Sequence, residues 1–220
     1  MVLESRDRNP ANGLKRLLAL KDRLEWVINE RALAYGEGEH PKHRLMRYHS
    51  FFIDRIKDGE RVLDVGCGYG AVARSIARER PNCVVTGMDM NQPRLAQARA
   101  AENPPNLSFI EGDATREVPI GGWDVVVLSN VLEHVTDRVS FLIGLQNASQ
   151  APRILVRVPL FQRDWQMPLR RELGINYFSD DDHKIEHQLE EFHAELDLAN
   201  LMAVQTLTLW GEIWADCRRR

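Results

Sequence analysis

The chain has 220 residues, a mass of 25.3 kDa and 44% hydrophobic residues, enough for one domain with a sizeable core and a small appendage. Its 29 basic and 32 acidic side chains give a formal net charge of -3, which argues against a basic sheath for nucleic acid and leaves only a local patch at Arg218, Arg219 and Arg220. No apolar run approaches the roughly 20 residues of a membrane span, the N-terminus MVLESRDRNPANG lacks a signal-peptide core, and the scattered Cys67, Cys83 and Cys217 make neither a disulfide framework nor a zinc knuckle. The expectation is a cytoplasmic protein, monomer or homodimer, without a membrane span.

Residues 1–13 read as a loose end. In the following stretch Leu14, Leu17, Leu18, Leu24, Val27 and Ile28 recur at helical spacing, which predicts an amphipathic helix packed on the main domain or covering a site. Gly36, Gly38 and Pro41 end it. This divides the chain into a tail and helix over 1–41 and a main domain over 42–220. A second helix is expected through Lys42–Lys57.

From residue 61 the pattern alternates. RVLDV, CVVTGMD, LSFIEGD, WDVVVLS and RILVRVP read as strands, and AVARSIARER, QPRLAQARAAE and Asp137–Ala148 as the helices between them. Residues 160–186 break the rhythm with aromatic and charged residues, and so long an irregular connection suggests a functional lid. LEEFHAELDLANL then reads as a helix, and AVQTLTLW and EIWADCR as two strands joined at Gly211 and hence antiparallel. The five earlier strands, linked by helices, should be parallel. The fold class is α/β: a doubly wound, seven-stranded, mostly parallel sheet with the last strand antiparallel, plus N-terminal helices.

The strongest chemical signal is VLDVGCGYG at 62–70. Glycines at the first strand–helix turn allow a tight bend and close approach to a ligand. Asp89 ends the second strand and can accept both hydrogen bonds of a ribose diol. Asp113 ends the third and can accept from an adenine amino group. Asp64 lies inside the first strand, where a buried acid needs donors or a cation. Each acid alone could be a cap or turn former. Together they point to one nucleoside ligand with a positive end.

VLDVGCGYG, the Met88-Asp89-Met90 strand end, EGDA and LSNVLEHV, in this order, resemble the class I S-adenosylmethionine-dependent methyltransferases, most closely their small-molecule branch. The resemblance covers roughly 42–214. It implies S-adenosylmethionine as cofactor, S-adenosylhomocysteine as product and a small-molecule acceptor. It implies that Gly66, Cys67, Gly68 and Gly70 line the cofactor's amino-acid and ribose region. Asp64 would fix that loop or meet the ammonium. Asp89 would hold the ribose, Met90 pack on adenine, and Asp113 and Ala114 bind its amino edge. Ser129 and Asn130 would border the methionine moiety, and Arg47 or Tyr48 reach its carboxylate.

The cofactor's sulfonium makes the methyl group electrophilic, so the protein must align a nucleophile and take a proton where needed. His134 lies just past the fourth strand and is a candidate base for a hydroxyl, or a pocket-shaping side chain. Glu133 reads as structural, and no second metal-ligand cluster is visible, so no metal is expected. His183 or His187 could reach the acceptor site, with Trp165 and Tyr177 as walls or as lid packing. His183-Lys184-Ile185-Glu186-His187 also matches the inverted zinc-peptidase pattern, but too little chain follows to hold a third ligand. A second rival is a nicotinamide-dependent oxidoreductase, since Gly66-x-Gly68-x-x-Ala71 with Asp89 satisfies the dinucleotide fingerprint. Against it stand Asp64, Asp113 and the terminal strand pair. A third is a non-catalytic binder of the cofactor. No Asn/Asp-Pro-Pro-aromatic tetrapeptide is present, which again argues against nucleic acid as substrate.

Overall fold

The computed structural model describes residues 9–38 and 40–220; positions 1–8 of the expected loose end lie outside the described residues. The chain divides into two compact units. One holds the described residues up to Tyr48 together with Trp165–Tyr177, and the other holds His49–Asp164 and Phe178–Arg220.

In the first unit, helix α1 runs over Pro10–Tyr35, so it starts inside the stretch expected to be loose. The cause is local: the Asn9 side chain accepts the Ala11 N–H at 3.0 Å, and Pro10 occupies a first-turn position that needs no donor. Helix α7 (Gln166–Glu172) packs on α1. The Arg170 guanidinium donates to both Asp22 oxygens, at 2.6 and 3.1 Å, and Lys21 donates to Gln166 Oε1 at 2.9 Å. Residues 160–186 therefore contain a helix that the irregular composition hid. Of the apolar stripe on α1 only Leu18 is buried, while Leu24, Val27 and Ile28 are exposed. The single helix expected through Lys42–Lys57 is two: α2 (Lys42–Met46) and α3 (Tyr48–Ile53). Arg47, at φ 53°, adopts a left-handed conformation between them.

The second unit holds the sheet: β1 (Arg61–Val65), β2 (Val84–Asp89), β3 (Leu107–Glu111), β4 (Val125–Ser129), β5 (Arg153–Pro159), β6 (Leu201–Leu209) and β7 (Glu212–Arg219). Their order is β3-β2-β1-β4-β5-β7-β6. All pairs are parallel except the two made by β7, which lies antiparallel between β5 and β6. Trp210 and Gly211, both at positive φ, close the β6–β7 hairpin. Helices α4 (Ala71–Glu79), α5 (Gln92–Ala100), α6 (Arg138–Ser149) and α8 (Leu189–Leu198) link or flank the strands.

β4 and β5 are buried along nearly their whole length, β4 with an unbroken apolar run. β5 also buries two arginines, and each is paired. Arg157 donates to both Glu212 oxygens on the neighbouring strand at 2.6 and 2.5 Å, and Arg153 donates to Glu60 at 2.5 Å. Bidentate geometry offsets the desolvation cost that an isolated guanidinium would carry. Strand order reverses between β1 and β4. Beyond their carboxyl ends lies the position at which ligands bind in open α/β sheets.

Candidate active site

The β1–α4 turn is built around glycines at positive φ: Gly66 at 68°, Gly68 at 55° and Gly70 at 77°. Space also forbids side chains at two of them. A Cβ on Gly66 would stand 2.8 Å from Val131, and one on Gly70 would stand 2.6 Å from the Phe109 ring. The loop is tied to the end of β2. The Gly66 and Cys67 N–H groups donate to the Met88 carbonyl at 2.8 and 3.0 Å, and Gly68 N–H donates to Asp89 Oδ2 at 2.7 Å. Asp89 Oδ1 accepts the Asn91 N–H at 2.8 Å, which starts α5.

A cavity of about 460 Å³ opens at this crevice. Gly66, Asp89, Met90, Asp113, Ala114, Asn130 and His134 all line it, so seven sequence-derived candidates from four strand ends converge on one space. Asp113 is held by its own turn: Oδ1 accepts the Thr115 hydroxyl at 2.7 Å and the Thr115 N–H at 3.0 Å. These bonds, with Arg116 nearby, keep its carboxyl below the usual range. Asn130 sits at φ 57°, and its buried Oδ1 has no hydrogen-bond partner among the described residues.

Other candidates take supporting positions. Asp64 is buried behind the loop, where it accepts from the Ala73 backbone; burial, with the charge of Asp89, pushes its carboxyl up to about 7. Cys67, Gly68 and Gly70 shape the loop without lining the cavity. Ser129 accepts from Arg157 at 3.3 Å, which turns its hydroxyl toward β5. His187 is fully buried away from the cavity, with Nε2 3.3 Å from Glu195 and its backbone bridging to Leu160. The structure thus gives it a packing position rather than an acceptor contact. His183 and His187 do not sit on a helix, so the inverted zinc-peptidase pattern has no structural counterpart. In the first unit, Arg47 and Trp165 are exposed and Tyr177 is half-buried, while Tyr48 is buried with its hydroxyl 2.5 Å from His43 Nδ1.

Sequence reasoning missed several lining residues. Asn91 caps α5 and Thr115 sits in the turn held by Asp113, and both also line the cavity. Arg94 and Phe141 carry no motif, and Val131 and Val135 lie in LSNVLEHV without having been singled out; only the fold turns them inward. Asp182 reaches the cavity from the expected lid, where its Oδ1 stands 3.2 Å from His134 Nδ1, off hydrogen-bond geometry, so the contact is electrostatic.

The turn Leu132–His134 places Glu133 behind the cavity wall, completely buried, with both carboxylate oxygens unpartnered among the described residues. Burial pushes its carboxyl up to about 8. The rings of His134 and His183 meet edge to face at 4.7 Å. Burial lowers the pKa of His134. Burial opposes charge on His183 too, but its 3.0 Å contact with Glu186 and the surrounding carboxylates outweigh it and raise that pKa.

Residues 62–148 match the family model described as a methyltransferase domain. This match, and the strand order with β7 inserted between β5 and β6, give the sheet the fold of the class I methyltransferases around the crevice cavity. The inserted β7 also departs from the 3-2-1-4-5-6 order of nicotinamide-binding sheets. The ubiquinone biosynthesis O-methyltransferase of Vibrio cholerae is 43% identical over 88 residues, covering 38% of this chain and 35% of that one. The chain thus spans about a third of the length of the curated relatives it matches. Magnesium protoporphyrin IX methyltransferase from Synechocystis PCC 6803, solved with bound S-adenosylhomocysteine, shares the fold at a TM-score of 0.62 and 15% identity, over 80% of this chain and 83% of that one. Mitomycin 7-O-methyltransferase does so at 0.65 and 18%, over 84% and 56%. No helix among the described residues is long and apolar enough to cross a membrane.

Proposed function

We propose that the domain binds S-adenosylmethionine in the crevice cavity and transfers its methyl group by direct displacement to an oxygen of a small-molecule, sugar or lipid-like acceptor. S-adenosylhomocysteine is the other product. The observation that carries this reading is the polarity of the cavity: Asp89 and Asp113 stand on adjacent strand ends, and His134 and Asp182 lie beyond the end of β4. Carboxylates of the first kind suit a ribose and an adenine amino group. The unpartnered Asn130 oxygen suits the methionine ammonium. The histidine end suits an acceptor hydroxyl that must lose a proton as it attacks.

Oxygen as the acceptor atom is favoured by two things. His134, with its pKa lowered, is neutral near pH 7 and so able to receive a proton. The Vibrio cholerae relative and the mitomycin enzyme are both named for O-methyl transfer. Gly68, Cys67 and Gly70, expected from the sequence to line the cofactor, support the reading through the loop they build beside the cavity.

The test has two stages. Calorimetry on the full chain should give micromolar affinity for S-adenosylmethionine and S-adenosylhomocysteine and none for reduced nicotinamide nucleotides. Transfer of labelled methyl to a panel of phenols, sugars and prenylated hydroxy-arenes should then identify the acceptor class. Binding only to the nicotinamide would overturn the reading, as would transfer to amines with none to hydroxyls.

A further inference from the structure

We propose that the apolar stripe of α1 is a self-association surface, on which α1 of a second copy of this chain packs antiparallel about a two-fold axis. Leu14, Leu17, Leu24, Ile28 and Tyr35 recur at alternating steps of three and four residues, counted through Lys21 and Arg31. That spacing is the seam by which two helices pack side by side. All five are exposed, Leu24 to 54% and Ile28 to 58%, and the exposed Val27 widens the stripe.

The stripe is distinct from the packing α1 makes with α7. That packing uses Leu18, whose carbonyl accepts from Arg170 at 3.5 Å, and Asp22, which pairs with the same guanidinium. At about 100° per residue, this side lies roughly a third of a turn from the line through Leu17, Leu24 and Ile28. Lys21 interrupts the stripe, but its ammonium donates to Gln166 Oε1 at 2.9 Å, so its charge is turned toward α7. From Leu14 to Tyr35 the stripe runs about 33 Å. A continuous apolar line of that length on an otherwise charged helix marks an interaction surface rather than a scatter of single residues.

The charges select the occupant. Between Leu14 and Arg23 stand Lys15, Arg16, Lys21 and Arg23, with Asp22 the one carboxylate. Between Leu24 and Glu37 stand Glu25, Glu30 and Glu37, with Arg31 the one cation. Two copies packed antiparallel set the basic half of each against the acidic half of the other, and their helix dipoles oppose favourably. Packed parallel, they would set like charge against like. Arg23 and Glu30, both exposed and seven residues apart, lie on one flank of the stripe. An antiparallel pair centred between Leu24 and Ile28 sets Ile28 of each copy on Leu24 of the other. The same register brings Arg23 of each beside Glu30 of the other, twice by symmetry.

An anionic lipid surface would not use this arrangement, since it attracts the basic half and repels the glutamates of the other. The polar interruptions at Lys21 and Arg31 weaken a seam and fix its register, which makes the dimer reversible rather than obligate. No stripe residue lines the cavity, so association and ligand binding are separable properties.

The test is sedimentation equilibrium of the full chain from about 1 to 100 µM. The expected result is a reversible monomer–dimer equilibrium that approaches twice the 25.3 kDa chain mass. R23E and E30R should each weaken the dimer about 10-fold, because each turns two attractive pairs into repulsive ones. The R23E/E30R double variant restores both pairs with their charges exchanged and should recover the parent affinity within a few-fold. L24E/I28E should stay monomeric throughout. Circular dichroism and thermal melting report whether each variant keeps its fold. A parent that is monomeric at about 100 µM, or a dimer that survives L24E/I28E, would overturn the surface. A double variant no stronger than the single ones would overturn the antiparallel pairing. A monomeric parent that binds vesicles of phosphatidylcholine and phosphatidylserine, and loses them in L24E/I28E, would overturn the dimer in favour of a membrane surface.

Discussion

The Asp89 carboxylate accepts the backbone N–H of Gly68 at 2.7 Å with one oxygen and that of Asn91 at 2.8 Å with the other. One side chain thus sets the glycine loop and starts the next helix, on the wall of the cavity. Asp89→Ala should lower S-adenosylhomocysteine affinity by about 30–100-fold, because two buried amides lose their acceptor along with any ligand hydroxyl. Calorimetry reads this directly. Asp89→Asn retains one acceptor oxygen and should fall between. Unchanged affinity in Asp89→Ala would remove the ribose assignment.

Gly70→Ala should destabilise the protein by roughly 2–3 kcal/mol, from a Cβ driven into the Phe109 ring at 2.6 Å and from the left-handed φ of 77°. Trimming the ring with Phe109→Leu should recover only part of that loss in the double variant, since the backbone strain remains. Denaturant titration of the four proteins provides the cycle.

The alternating strands and helices, the glycine turn and the three acids were legible because each follows from a short, local rule. Local rules also explain the misses. No glycine marks Arg47, so the break between α2 and α3 is invisible in a stretch with good helical spacing. Pro168, which reads as an interruption, is tolerated in the first turn of α7. The H-x-x-E-H spacing presumes a helix, but those residues run irregularly and His187 bridges to Leu160 instead. The edge-to-face contact of His134 with His183 joins stretches far apart in the chain, so local spacing does not reveal it.

Asp64 should make the ligand-free protein lose stability as pH rises. Its carboxyl is pushed up by burial to about 7, against an ordinary value of 3.8, so its contribution is fully present below about pH 4 and lost as pH climbs through about 7. Asp64→Asn keeps an acceptor for the Ala73 N–H and removes the titration. The difference in Tm between variant and parent should move in the variant's favour from pH 4 to pH 8. A pH-independent difference would contradict this.

Glu195 should work in the opposite sense. Burial alone would raise its carboxyl, but hydrogen bonds from His187 at 3.3 Å and from Arg138 at 2.8 and 2.5 Å hold it down at about 2. Its contribution is present above the ordinary value of 4.5 and is lost as pH falls through about 2. Glu195→Gln should cost on the order of 3 kcal/mol at pH 7. Thermal melts should show the gap between parent and variant closing as pH drops from 5 toward 2.

His134→Ala should slow methyl transfer by about 100-fold or more while S-adenosylhomocysteine affinity stays within a few-fold. Single-turnover kinetics beside calorimetry separates the two effects. Lost cofactor binding would make His134 a structural wall of the cavity.

Of the residues lining the cavity, all but Asp182 fall between Val65 and Phe141, within the stretch that matches the methyltransferase model. The nucleoside pocket is in this sense a contiguous cassette, and everything after β5 touches it at a single side chain. Changes after β5 can therefore alter the cavity wall only at Asp182, so the rest of that segment is free to vary without touching the walls built between Val65 and Phe141.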